Sequence, residues 1–172
     1  MISALVLVAD PGDADAIDRL ADTLGALVAG VAAGLVGDAV IVAGAMDQAV
    51  DTIADATGAS LVVVPRGANP WVAGAGVARR DWVLCLEAGD VPGDGWIRAL
   101  DRFVGTAGSE TLGRLSRPHA GLATRLAVRI EAMFGAGAAR PGDLVRRDRL
   151  GEAGTFAPRL MPRRLIARIG RA

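Results

Sequence analysis

Apolar runs and helical stripes alternate through the first hundred residues. Ile2 to Ala9 is an apolar run closed by Asp10-Pro11-Gly12, the pattern of a buried strand ending in a turn. Asp13 stands where a cap would, and Ile17, Leu20, Leu24 and Leu27 then recur at helical spacing before Gly30 and Gly34. Ala39 to Ala43 reads as a second short strand. Ala45 to Thr57 reads as a helix closed by Gly58, and Leu61 to Val64 as a strand stopped by Pro65. Asn69 to Arg80 is a small-residue helix, Asp81 to Leu86 a fourth strand, and Trp96 to Val104 a helix after the turn Pro92–Gly95.

Strands and helices in this order predict parallel strands joined by right-handed helical crossovers. Strands apolar along their whole length predict a sheet covered by helices on both faces. In such folds ligands sit beyond the carboxyl ends of the strands. That singles out Asp10 to Asp13, Ala43 to Asp47, Pro65 to Asn69 and Glu87 to Asp90.

After residue 105 the pattern changes. Gly105 to Pro118 and Gly135 to Gly142 read as loops. Ala120 to Phe134 reads as an amphipathic helix, with Leu122, Leu126, Ile130 and Met133/Phe134 as its apolar stripe and Arg125 and Arg129 outside it. Leu144-Val145 is a short candidate strand. Leu160 to Ile169 is a basic amphipathic segment interrupted by Pro162.

Composition sharpens this picture. The 172 residues fit a single domain over 1–172, and 52% hydrophobic residues exclude a disordered chain. Residues 1–113 carry 6 Arg and 15 Asp or Glu, whereas residues 114–172 carry 13 Arg and 4 acids. The basic end suits an anionic partner, or it balances the acidic body within one fold. Cys85, the single cysteine, lies in an apolar run and reads as a buried thiol. The apolar first strand lacks the basic lead of a signal peptide, and no apolar stretch is long enough to span a bilayer. The expectation is a cytoplasmic protein. His119 lacks partners at zinc spacing, Ser109 and Ser116 lack a nucleophile elbow, and no aromatics interleave with the arginines to suggest nucleic-acid binding.

Several strings resemble a family 2 glycosyltransferase of GT-A type. The stretch Gly74 to Pro92 is similar to that family's small-residue helix, strand and acidic metal motif, and Gly95-Trp96-Ile97 through Leu100 continues the pattern. The turn Asp10-Pro11-Gly12-Asp13, the second strand running through Ala43 to Asp47, and Gly142 to Leu150 match more loosely. The subgroup most resembled is the short bacterial transferases. The resemblance implies a Rossmann-like GT-A fold with a mostly parallel sheet. It divides the domain into a nucleotide-binding half (1–104) and an Arg-rich acceptor half (105–172).

It also implies chemistry. A departing nucleotide diphosphate needs a cation, Mg2+ or Mn2+ in this family, and the acceptor hydroxyl needs a general base. Glu87 and Asp90 fall at the metal motif, where the family's Asp-x-Asp pattern is broken by Gly89. Asp10, Asp13, Asp47, Arg66 and Arg79 (with Arg80) are the candidate nucleotide-sugar contacts. Their plain alternatives are turns, helix caps and solvated surface. The family's strand-end Asp is replaced by Ala43. Its base is replaced by Pro162-Arg163-Arg164, with Glu152 the nearest carboxylate before it.

Three readings follow: transfer of a sugar to a cell-envelope or lipid-linked acceptor, a catalytically degenerate homologue that serves as a non-catalytic binding or scaffold protein with this fold, or an unrelated α/β domain whose resemblance is only architectural. Arg159 to Arg171 is the candidate contact with a protein partner or an anionic membrane surface, which would make the chain peripheral to the inner membrane.

Overall fold

The computed structural model describes residues 1–108, 110–119, 121–151 and 154–172; the side chain of Arg125 also lies outside what it describes. Ser109, Ala120 and Glu152, named above, therefore fall outside the described residues. The chain runs β1 (Ile2–Val8), α1 (Ala16–Ala32), β2 (Val36–Ala43), α2 (Gln48–Thr57), β3 (Ser60–Val63), α3 (Pro70–Val77), β4 (Trp82–Glu87) and β5 (Asp90–Pro92). It continues with α4 (Trp96–Thr106), β6 (Thr111–Ser116), α5 (Leu122–Phe134), β7 (Ala136–Ala138), β8 (Asp143–Arg146) and β9 (Thr155–Arg171).

The strands form one nine-stranded sheet in the order β3-β2-β1-β4-β8-β6-β9-β5, with β7 pairing to β9. The first half is parallel, as the alternation predicted: β1 pairs with β2 and β4, and β2 with β3. The second half is mixed. β8 runs antiparallel to both β4 and β6, and β9 runs parallel to β6 but antiparallel to β5. The even residues of β1 (Ile2, Ala4, Val6, Val8) pack with α1, α2 and α4 on one face. Leu5, Val40, Val42 and Val83 pack with Trp71 and Ala75 of α3 on the other. Cys85 is fully buried there, and burial pushes its thiol up.

Local chemistry fixes both ends of α2 and the start of α3. Asp47 accepts from the Ala49 and Val50 N–H groups at 2.8 and 3.1 Å, and Gly58 closes the same helix in the left-handed region at φ 69°. Asn69 caps α3 in the same way. α1 starts later than the pattern suggested, and Asp13 pairs with Arg19 instead of capping it.

The stretch Gly135 to Gly142, read as a loop, holds the short strand β7, and two larger expectations on the second half fail. The stretch read as a loop from Gly105 to Pro118 contains a strand, β6, central to the second half of the sheet. Gly113 fits there because its Cα faces Phe103 and Leu165, where an added Cβ would come within 3.1 Å of each. Arg114 fits because its guanidinium is paired beneath α5. The basic segment Leu160 to Ile169 is also a strand. Leu165, Ala167 and Ile169 are buried, while Arg164, Ile166 and Arg168 are exposed, the period of two that a strand imposes. Pro162 is tolerated because β7 and β5 pair only with the two ends of β9, leaving one side of its middle unpaired.

The third surprise is the orientation of α5. Its helical span agrees with the sequence pattern, but its apolar stripe faces outward. Leu122, Leu126, Ile130, Met133 and Phe134 are between 50% and 83% exposed. An ionic network turns the helix this way. Arg114 of β6 binds Asp143 of β8 at 2.6 and 2.8 Å and Glu131 of α5 at 2.6 Å. Arg140 binds Glu131 at 2.7 Å and donates its backbone N–H to Asp143 at 3.0 Å. The polar side of α5 is thus held against the sheet.

Burial alone would raise the Glu131 pKa, but the Arg140 and Arg114 hydrogen bonds outweigh it and hold the carboxyl below its ordinary 4.5. A carboxylate with a depressed folded pKa stabilises the fold above its unfolded value and loses that contribution as pH falls through the folded one. The melting advantage of the native chain over Glu131→Gln should therefore be full near neutrality and shrink below about pH 4.5. A gap that stays constant across that range would show that the carboxylate charge does not anchor α5.

Candidate functional site

The sheet order 3-2-1-4 reverses direction at β1, which makes the carboxyl edge between β1 and β4 the topological switch point of the sheet. At this edge is the turn Glu87-Ala88-Gly89-Asp90, which joins β4 to β5. The Ala88 N–H donates to the Leu7 carbonyl at 2.9 Å. The Gly89 N–H is shared by Thr23 Oγ1 at 2.8 Å and the Arg19 carbonyl at 2.9 Å. Gly89 adopts φ 94°, which disfavours any side chain, and its Cα abuts Arg19. From the other side the end of β9 closes on this turn: Arg171 pairs with Asp90, and the Ala172 N–H donates to the Gly89 carbonyl at 3.0 Å.

Arg117, which follows β6, bridges the two acidic side chains. Its Nη2 lies 2.7 Å from both Glu87 Oε2 and Asp90 Oδ1, and its Nε donates to Asp90 Oδ1 at 3.1 Å. Asp90 Oδ2 accepts the Glu87 N–H at 2.8 Å. Asp90 is 1% exposed, and His119 Nε2 stands 3.5 Å from it. Burial works against the Arg117 charge, but Asp90 and Glu87 outweigh it and raise its pKa. For His119 burial and the nearby Arg117 charge prevail over Asp90 and lower its pKa, so it is neutral at physiological pH.

This arrangement tests the expected cation site. Both Asp90 oxygens and Glu87 Oε2 are engaged, and a guanidinium occupies the space between the carboxylates. A divalent cation would need those same oxygens and would meet the positive charge of Arg117 at contact distance. As folded, Glu87 and Asp90 do not fit a divalent ion. No group of three or more metal-binding side chains occurs among the described residues.

Beside the turn opens a cavity of about 1210 Å³, bounded by β6, α5 and β9. Glu87, Arg117 and His119 stand in its wall, with Arg164, Arg168 and Arg171 of β9 across from α5. Glu87 is its one acidic lining residue among those described. Pro162 and Arg164 line it where the resemblance called for a base.

The other sequence candidates separate. Asp10, Asp13, Asp47 and Arg66 lie on the loops after β1, β2 and β3, at the carboxyl edge but outside the large cavity. Asp10 accepts the Gly12 N–H at 3.1 Å, forming the turn. The Arg19 hydrogen bond, followed by the Asp15 N–H, holds the Asp13 carboxyl below the usual range. Asp47 is the α2 cap already described. Arg79 is not brought to the carboxyl edge. Its N–H and that of Arg80 donate to Asp38 and Ser3, near the beginnings of β2 and β1, so both arginines sit at the opposite, amino-terminal edge. Arg117 was missed because it lies in the stretch read as a loop with nothing local to mark it, and His119, just after that stretch, was weighed only as a zinc ligand.

No family model matches the chain, and no curated protein matches it. Solved structures do. Glucosyl-3-phosphoglycerate synthase from Mycobacterium tuberculosis, in complex with Mn2+, UDP and phosphoglyceric acid, matches 87% of this chain and 57% of its own length. That match has a TM-score of 0.58 and 19% identity. TarS 1-349 from S. aureus matches 87% of this chain and 48% of its own, with a TM-score of 0.54 and 15% identity. The fold is that of a GT-A glycosyltransferase. The chain spans little more than half the length of the M. tuberculosis synthase and about half that of TarS. At these identities the GT-A likeness concerns the backbone, and the Arg117 bridge belongs to this chain's own side chains.

Proposed function

We propose that this chain binds a nucleotide diphosphate-sugar at the carboxyl edge of its sheet, with Arg117 supplying the positive charge that a divalent cation would otherwise bring. The observation that carries this reading is the Arg117 bridge between Glu87 and Asp90, at the end of β4 and in the wall of an arginine-lined cavity. A planar guanidinium presents several donors to phosphate oxygens and needs no metal to do so. The synthase with the same fold is complexed with UDP and Mn2+, which supports UDP as the first nucleotide to test. Asp10, Asp13, Asp47 and Arg66 lie on the adjoining loops, where base and ribose contacts would fall.

On this reading the domain is a catalytically degenerate transferase. Among the described residues the single acidic one lining the cavity, Glu87, is tied to Arg117, and Pro162 and Arg164 stand where a base is called for. Removal of a general base commonly costs a factor of about 10² to 10⁴. A second reading, slow transfer to a cell-envelope or lipid-linked acceptor, is favoured by His119, whose ring reaches the cavity wall beside Arg117.

Calorimetry with UDP-, GDP- and dTDP-sugars tests both. The proposal expects at least one to bind in EDTA, with no gain from Mn2+ or Mg2+. Ligand at 100 times its dissociation constant should stabilise the fold by about 2.7 kcal/mol. Binding that requires Mn2+ would reject the role of Arg117. No binding in either medium would reject the nucleotide reading and favour the scaffold. Release of nucleotide diphosphate that disappears in His119→Ala would establish the second reading.

A further inference from the structure

We infer that the outward face of α5, with the arginines of β9 beside it, is a docking surface for an anionic lipid bilayer. α5 is an amphipathic helix mounted in reverse. Its Glu131 is drawn inward to Arg114 and Arg140, and Leu122, Leu126, Ile130, Met133 and Phe134 form an exposed line along the other side. None of its described side chains is buried. Monomers rarely expose a contiguous apolar patch larger than a few hundred Å² without a partner for it.

Charge decides which partner. Arg164, Arg168 and Arg171 of β9 and Arg129 of α5 are exposed and bound the same cavity as Leu122 and Leu126. Ile166, 92% exposed, shares the Arg164 and Arg168 face of β9. Of the four acids after residue 113, Glu131, Asp143 and Asp148 are each paired with arginine, and Glu152 lies outside the described residues. The surface is therefore apolar and cationic together. A bilayer with acidic headgroups satisfies both halves: the apolar line enters the boundary of the acyl layer and the arginines meet lipid phosphates. A second copy of the chain would set arginine against arginine across a two-fold contact. No described helix is long and apolar enough to cross a membrane, so the contact lies on the surface.

The test is vesicle co-sedimentation of the full chain, and no nucleotide is needed, so its outcome is independent of the nucleotide-sugar reading. Vesicles of phosphatidylcholine with about one third phosphatidylglycerol should bind the chain at least about tenfold more tightly than phosphatidylcholine alone, since each arginine near an anionic surface adds roughly fivefold. The double variant Ile130→Glu/Phe134→Glu alters two side chains already in solvent and outside the cavity wall. It should keep the native melting temperature and lose at least about tenfold in binding. Failure of the native chain to sediment with the acidic vesicles, equal binding to neutral ones, or unchanged binding of the double variant would each overturn the inference. A concentration-dependent dimer that the double variant makes monomeric would assign the face to a second copy instead.

Discussion

Replacing Arg114 by alanine should destabilise this protein by about 3–5 kcal/mol, because it strands a carboxylate that has no access to water. Asp143 is 0% exposed and receives two hydrogen bonds from the Arg114 guanidinium. Glu131 loses one of its two arginine partners in the same step. For a chain of this length the loss should lower the melting temperature by roughly 6–20 °C. Charge stranding and lost packing are separable. In Arg114→Ala/Asp143→Asn the buried charge is gone, so the double variant should be more stable than Arg114→Ala alone. A double-mutant cycle on chemical denaturation measures this coupling. An Arg114→Ala midpoint within about 1 kcal/mol of the native chain would mean that water reaches Asp143 and that the network holds α5 only weakly.

Replacing Arg117 by alanine should change how the protein uses metal. In the native chain the guanidinium satisfies Glu87 and Asp90 in the wall of the cavity. Without it, a diphosphate approaching the turn meets two uncompensated carboxylates. Loss of one charged hydrogen-bonding partner, worth about 1.5–3 kcal/mol, corresponds to roughly a 10- to 150-fold loss of nucleotide-sugar affinity in EDTA. Mn2+ should then recover part of that loss, since the freed carboxylates offer the hard oxygen ligands a divalent ion prefers. Arg117→Lys keeps the charge but not the fork that spans both carboxylates, so it should fall between the two. Calorimetry on the three proteins, with and without Mn2+, reads all of this. Equal affinity of the native chain and Arg117→Ala in EDTA would remove Arg117 from ligand binding.

These two arginines also mark where the sequence stops being legible. The first half of the fold could be read because its signals are local. Apolar runs such as Trp82 to Leu86 are strands wherever both sheet faces are covered, and Asp47 and Gly58 bracket a helix through bonds to their own neighbours. The turn Glu87 to Asp90 was likewise singled out, at the carboxyl edge where it lies.

β6 could not be read. Its Thr-Leu-Gly-Arg-Leu-Ser carries a glycine and an arginine where a central strand usually carries β-branched residues. What makes Arg114 acceptable is Asp143, 29 positions away, and no window along the chain contains both. β9 was mistaken for the same kind of reason: alternating arginine and aliphatic residues around a proline fit several conformations, and only the neighbouring β6 edge selects the strand.

The site divides along the same line. The acidic pair was visible in sequence, whereas Arg117 was hidden in a presumed loop, and Arg79, plausible by proximity in sequence, was carried by α3 and β4 to the far edge.

By itself, the amino-acid sequence determined the alternation of strands and helices through the first hundred residues, an acidic turn at the end of the fourth strand and a basic second half. These follow from periodicity, caps and composition, which act over a few residues. Only the tertiary structure decided that Arg117 would fill the acidic turn and that α5 would face its apolar side outward. Both depend on charged pairs between residues far apart in the chain, whose energies arise only when folding brings them together and removes them from water.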